Sequence, residues 1–322
     1  QSMEFGDSKF KIKLTLNNPD DWIKMAELFS SQIIKSSKEG PNGLIIAGIH
    51  GDEYEPVLAI MRLIKKLEGR LISGSITLVP VTNRNAYFSG SRVGEDGLDL
   101  ARTCPGNSNG SITERVAAKI SELIKKADFF IDMHTGGNLF EISPLSGYML
   151  HNDSSVLQKQ REMAAAFNLP IVWGTSPELE GRTLSVARDG NIPAIYTENG
   201  GGAYRTEGVE ELVDGCENVL ELFGLLPQQK KKKKAMVNIE DDKPGSGHLQ
   251  VMHPSPDEGV FIAKVSLGDF VKEGDGLGYI VNDKGEKSTQ VLAQQSGMVF
   301  LIRAVPMAKA GDALAGILPI KK

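Results

Sequence analysis

Leu44-Ile45-Ile46-Ala47-Gly48-Ile49-His50-Gly51-Asp52-Glu53 is the stretch on which the reading of this chain turns. A short apolar run that ends on polar residues reads as a strand buried on both faces. Pro56–Leu67 follows as an amphipathic helix, with Pro56 suited to its first turn. A buried strand leading at once into a helix is the unit of a parallel sheet covered by helices. His50 and Glu53 are left at the strand exit, with Gly51-Asp52 making the turn between them.

The same alternation continues to about Leu226. Gly74–Val81, Phe129–Met133, Ile171–Trp173 and Ala194–Thr197 read as strands. Thr113–Lys126, opened by the capping-box pattern Ser111-Ile112-Thr113-Glu114, and Val209–Phe223 read as helices. The expectation for residues 1–227 is an α/β domain: a mixed, largely parallel sheet with helices on both faces. Ligands of such sheets bind at the carboxyl ends of strands, where His50 falls.

Residues 228–236 carry the run Lys230-Lys231-Lys232-Lys233-Lys234, whose like charges repel. It reads as a solvated linker; without arginine or aromatic partners it makes a poor polyanion site. From 237 to 322 helical periodicity is absent and a repeat appears. Val271-Lys272-Glu273-Gly274-Asp275-Gly276-Leu277 echoes Ala308-Lys309-Ala310-Gly311-Asp312-Ala313-Leu314, each copy following a Gly-led strand at Gly259 or Gly297. This predicts a small all-β barrel or sandwich module. The pattern resembles a biotinyl/lipoyl-type module, but Gly285-Glu286-Lys287-Ser288-Thr289 lacks the methionines that flank a carrier lysine, so the structural reading is preferred.

Composition narrows the function. Of 322 residues 40% are hydrophobic and 24% charged, which suits a globular protein with a sizeable core. A net charge of −5 argues against nucleic acid as partner. Cys104 and Cys216 are too few for a disulfide framework and fit a reducing compartment. No run approaches the length of a membrane span, so a cytoplasmic protein without a membrane partner is expected. A homo-oligomer is left open.

Phe129-Phe130-Ile131-Asp132-Met133 also ends on a histidine, His134. Two histidines and a carboxylate at strand exits are the ligand set of a catalytic zinc site with one position left for water. His50, Glu53 and His134 are therefore the candidate ligands of one Zn2+ per chain. Glu198, at the end of the strand before Asn199-Gly200-Gly201-Gly202, is the candidate base that deprotonates the water. Arg84, Asn85, Arg92 and Arg102 lie in a Gly-rich segment after the second strand, and arginine forks suit an anionic small-molecule substrate. His151, His248 and His253 read as satisfied core histidines.

Taken jointly, His50-x-x-Glu53, Asn83-x-x-Ala86, Arg92, Asp99-Leu100-x-Arg102, His134 and Glu198 resemble the succinylglutamate desuccinylase/aspartoacylase family, relatives of the zinc carboxypeptidases. The resemblance spans residues 40 to 226. It implies zinc on His50, Glu53 and His134, water activation by Glu198, a substrate carboxylate on Arg102, and a carbonyl-polarising or positioning role for Arg92 or Arg84. Two departures stand out. Ala101 occupies the place of the family's asparagine, and Asn85 stands where aspartoacylases carry arginine. Both leave zinc chemistry intact and put the familiar substrates in doubt. The expectation is a zinc-dependent deacylase of a small N-acyl amino acid, cleaving an amide or ester; the alternatives are a metallocarboxypeptidase acting on peptide C-termini and a non-catalytic zinc-binding relative.

Overall fold

The computed structural model describes residues 28–229, 237–249, 252–285 and 288–320. In chain order its elements begin with β1 (Gln32–Lys35), β2 (Asn42–Ile46), α1 (Tyr54–Leu67), β3 (Ser75–Val79), α2 (Arg84–Ser89), α3 (Ile112–Ile124) and β4 (Phe129–His134). There follow β5 (Phe140–Met149), α4 (Ser154–Phe167), β6 (Ile171–Thr175), α5 (Thr183–Asp189), β7 (Ala194–Gly200), α6 (Thr206–Leu222) and β8 (Val237–Glu240). The last strands are β9 (Gly259–Ala263), β10 (Phe270–Val271), β11 (Gly276–Val281), β12 (Ser288–Leu292), β13 (Gly297–Arg303), β14 (Met307–Ala308) and β15 (Ala315–Leu318).

β3, β2, β4 and β7 run parallel, side by side, as the sequence predicts. Both faces are apolar and both are covered. Ile45 belongs to a core with Leu63 of α1, Phe167 of α4 and Leu212 of α6. Its neighbours Leu44 and Ile46 belong to the opposite core, with Ile120 of α3 and Ala187 of α5. Alternation along one strand thus fills two layers. Ser111 and Glu114 close the capping box anticipated at α3.

Three features depart from the sequence reading. The strand β5 was not anticipated; it pairs antiparallel with β7 and parallel with β6, within the mixed sheet that the sequence predicts. Its apolar pattern is broken by Pro144, which falls where the pairing with β7 shifts register between Ile142 and Leu145. A residue without an N–H is tolerated at such an irregularity. Secondly, the division into residues 1–227 and 237–322 does not separate two sheets. β8 adds parallel to β6, and β13 pairs with β5 through Leu301 and Ile142, so one eleven-stranded sheet crosses the boundary. Thirdly, Arg84 and Asn85 open a helix rather than a loop.

The repeat is real in the backbone. β12, β11, β9 and β14 form a separate four-stranded sheet, while β10, β13 and β15 attach to the large one. The two share a core that includes Phe261, Leu277, Val299 and Ile317. Each copy needs its leading glycine: a Cβ at Gly259 would lie 2.3 Å from the Val281 carbonyl oxygen, and one at Gly297 1.9 Å from that of Leu318. The linker expected at 228–236 lies outside the described residues from 230 onward, as do Glu286 and Lys287.

Candidate active site

The order β2, β4, β7 brings their carboxyl ends together. Glu53 stands at the cap position of α1 but makes no capping bond with its side chain, which turns to the site instead. The turn before it requires Gly51, where a Cβ would lie 1.9 Å from the Ala86 carbonyl oxygen. His134 ends β4 and sits in register with Glu198 on β7. Glu53 is wedged between the histidines, with Oε1 2.7 Å from His50 Nδ1 and Oε2 3.0 Å from His134 Nδ1. All three residues are buried, and their ligand atoms lie within 4.8 Å of one another.

The outward nitrogens of both rings meet carboxylates. His50 Nε2 is 3.1 Å from Asp99 Oδ1, and His134 Nε2 is 3.1 Å from Asp132 Oδ1. Asp99 is held in turn by Arg92, whose Nη2 donates at 2.9 Å, and Asp132 accepts from the Thr183 hydroxyl. Such partners fix a ring's tautomer and orientation for metal binding. Burial alone would raise the Glu53 carboxyl pKa, but the two imidazoles outweigh it and hold the group far below its usual range. Likewise burial opposes, and Asp132 and Glu53 overcome, so that His134 is raised. A buried cluster of two nitrogens and a carboxylate, oriented from behind, fits a divalent metal ion with an open position.

Around it lies a cavity of about 90 Å³, lined in part by Arg92, Arg102, Arg182, Tyr196 and Glu198. Burial pushes the Glu198 carboxyl up to about 8; His134 and Arg92 oppose this, while Glu53 and Asp132 add to it. Its Oε2 has no partner among the described residues. Arg102 donates to the Ala101 carbonyl oxygen at 2.7 Å, and burial lowers its pKa. Ala101, Met149, Leu179 and Leu184 give the cavity an apolar side.

Arg84 and Asn85 are not part of this cavity. They line a separate surface groove with Phe88 and Arg115. The helix α2 sets Arg84 over the Phe88 ring, and Asn85 Oδ1 accepts from the Glu95 amide. Sequence reasoning missed Arg182, which gives Nη1 to the Gly247 carbonyl oxygen at 3.3 Å and is pushed down to about 10, first by burial and then by Arg102. It also missed Gly247 and Leu249, which wall the cavity from the far side of the supposed domain boundary. His253 is a satisfied core histidine, bonded to Ala315 and Gln294, and His151 is satisfied by Arg188 and Asp153. His248 is not a core residue of the β module: it is half-buried, and its pKa is lowered by burial and then by Arg102 and Arg182.

Residues 39–222, more than half of the chain, match the model of the succinylglutamate desuccinylase/aspartoacylase catalytic domain. The chain belongs to this family. Among curated proteins it is 28% identical to an N-alpha-acetyl-L-2,4-diaminobutyric acid deacetylase of Halomonas elongata, over 95% of this chain and 90% of that one. Among solved structures it is similar to the product-bound ectoine utilization protein EutE of Ruegeria pomeroyi, with a TM-score of 0.82 and 25% identity, covering 89% of this chain and 87% of that one. A succinylglutamate desuccinylase/aspartoacylase of Rhodobacter sphaeroides matches with a TM-score of 0.80 and 25% identity, over 91% and 89% of the two chains. The likeness in each case runs through both the desuccinylase/aspartoacylase catalytic region and the trailing strands.

Proposed function

We propose that this protein is a zinc-dependent deacylase that removes a short acyl group, acetyl before succinyl, from a small N-acyl amino acid. The observation that carries this reading is the buried His50–Glu53–His134 cluster facing Glu198 across one arginine-lined cavity. Zinc held by those three residues would supply a Lewis acid for the acyl carbonyl and lower the pKa of water. Glu198 takes the proton of the attacking water and hands it to the leaving amine. Its raised pKa suits both halves of that transfer; a bound cation beside it would draw the value down toward neutrality. Arg102 and Arg182 hold the substrate carboxylate. Arg92 keeps Asp99 and hence His50 in place.

The size of the cavity supports the short acyl group. With a volume of about 90 Å³ it is a small site, which favours a compact acyl group over a long one. Acidic groups lining the cavity are Glu53, Asp132 and Glu198, all committed to the metal site or to the base, while Arg102 and Arg182 face it. That balance supports an anionic substrate. The setting is proposed to be cytoplasmic; no helix among the described residues is long and apolar enough to cross a membrane.

Release of acetate and succinate from acyl amino acids, and of C-terminal residues from short peptides, tests the reading. Acetate release is expected, and Glu198→Gln should lower kcat by about 10²–10⁴-fold with bound zinc unchanged. Peptide trimming without acetate release would reverse the assignment.

A further inference from the structure

Tyr196 stands two residues before Glu198 on β7, so both side chains reach the cavity from the same face of the strand. Across the antiparallel pair with β5 its partner is Gly147. A Cβ at Gly147 would lie 2.3 Å from the tyrosine Cε1, 2.4 Å from Cζ and 2.6 Å from the hydroxyl oxygen. Glycine there is what lets the ring rest against the β5 backbone and carry its hydroxyl to the cavity.

A buried tyrosine hydroxyl ordinarily finds a partner. Tyr196 Oη has none among the described residues, and neither has Arg182 Nε, although both residues line the cavity. Burial, followed by the Glu198 carboxylate, raises the phenol pKa, so the group stays a neutral donor. Arg182, for its part, meets a backbone carbonyl but no carboxylate among the described residues. A neutral donor beside a guanidinium lacking its counter-ion suits an anionic oxygen acceptor.

Building on the deacylase reading, we propose that Tyr196 is a specificity-determining residue whose hydroxyl donates a hydrogen bond to the substrate α-carboxylate held by Arg182. Its substrates are then N-acyl amino acids with a free carboxylate, and their carboxamides are poor ligands. The ring fills the space over Gly147 whether or not the hydroxyl is present, so Tyr196→Phe removes the donor alone.

Calorimetric binding to zinc-loaded Glu198→Gln protein, with and without Tyr196→Phe, tests this without turnover. The probes are N-acetyl-L-alanine, N-acetyl-L-aspartate and N-acetyl-L-2,4-diaminobutyrate, with the α-carboxamide of the tightest binder. Tyr196→Phe should weaken the acid about tenfold or more, as loss of a hydrogen bond to a charged group does, and weaken the amide much less. Equal affinities for the acid in both proteins would overturn the proposal. So would equal weakening of acid and amide, which marks a packing role only. If Glu198→Gln protein binds no acid of the panel, the deacylase reading itself falls and this inference with it.

Discussion

Asp132 shows how much of the site rests on residues that never touch substrate. It is buried, it faces His134 Nε2, and it is itself fixed by Thr183. Asp132→Asn keeps the shape and removes the charge that orients the ring, so zinc affinity should fall about 10–100-fold, measured by competition with a chromophoric chelator. Unchanged affinity would show that His134 is oriented by packing alone. Sequence exposed His50, His134 and Glu198 because each ends an apolar run, and Glu53 because it follows His50 across a short turn. Asp132 and Tyr196 stood inside such runs, and their roles depend on which strand lies alongside. Arg182 follows a glycine in a segment without periodicity, so nothing local marked it. Arg84 and Asn85 stood in a Gly-rich segment, which says nothing of the helix that sets them in a separate groove.

At the level of elements, strands and helices with one clean period were legible, and interrupted ones were not. β5 was lost to Pro144, although it lies between β7 and β6, places Ile142 and Met149 at the cavity and sets Gly147 under the Tyr196 ring. α1 and α6 illustrate a different contact, invisible in one dimension. Glu217 of α6 is buried and takes hydrogen bonds from Lys66 at 2.6 Å and Arg70 at 2.7 Å. Burial raises its pKa, but those two cations outweigh it and hold the carboxyl below the ordinary 4.5. A carboxylate lowered in the folded state stabilises above its unfolded pKa and ceases to as pH falls through the folded value. Glu217→Gln should therefore cost stability at neutral pH, with the difference from the parent shrinking as pH drops below about 4.5. Urea titrations at pH 7 and pH 4 measure it; a pH-independent difference would place the effect in packing instead.

For the molecule as a whole, the linker composition suggested two independent parts, and hydrogen bonding joins them. β8 and β13 extend the sheet that carries the site, and Gly247 with Leu249 closes the cavity. A lysine run reports that a segment is solvated; it carries no information on where the chain re-enters the sheet. The segment between β8 and β9 thus completes the cavity wall of a desuccinylase/aspartoacylase-family protein, and the trailing strands are joined to its sheet. The proposed hydrolysis needs both the metal cluster and the cavity beside it. Acetate release from N-acetyl amino acids, followed while chelated protein is titrated with Zn2+, addresses it directly. Activity should vanish on chelation and return in proportion to added zinc up to about one ion per chain. Full acetate release from metal-free protein, or none at any zinc occupancy, would contradict it.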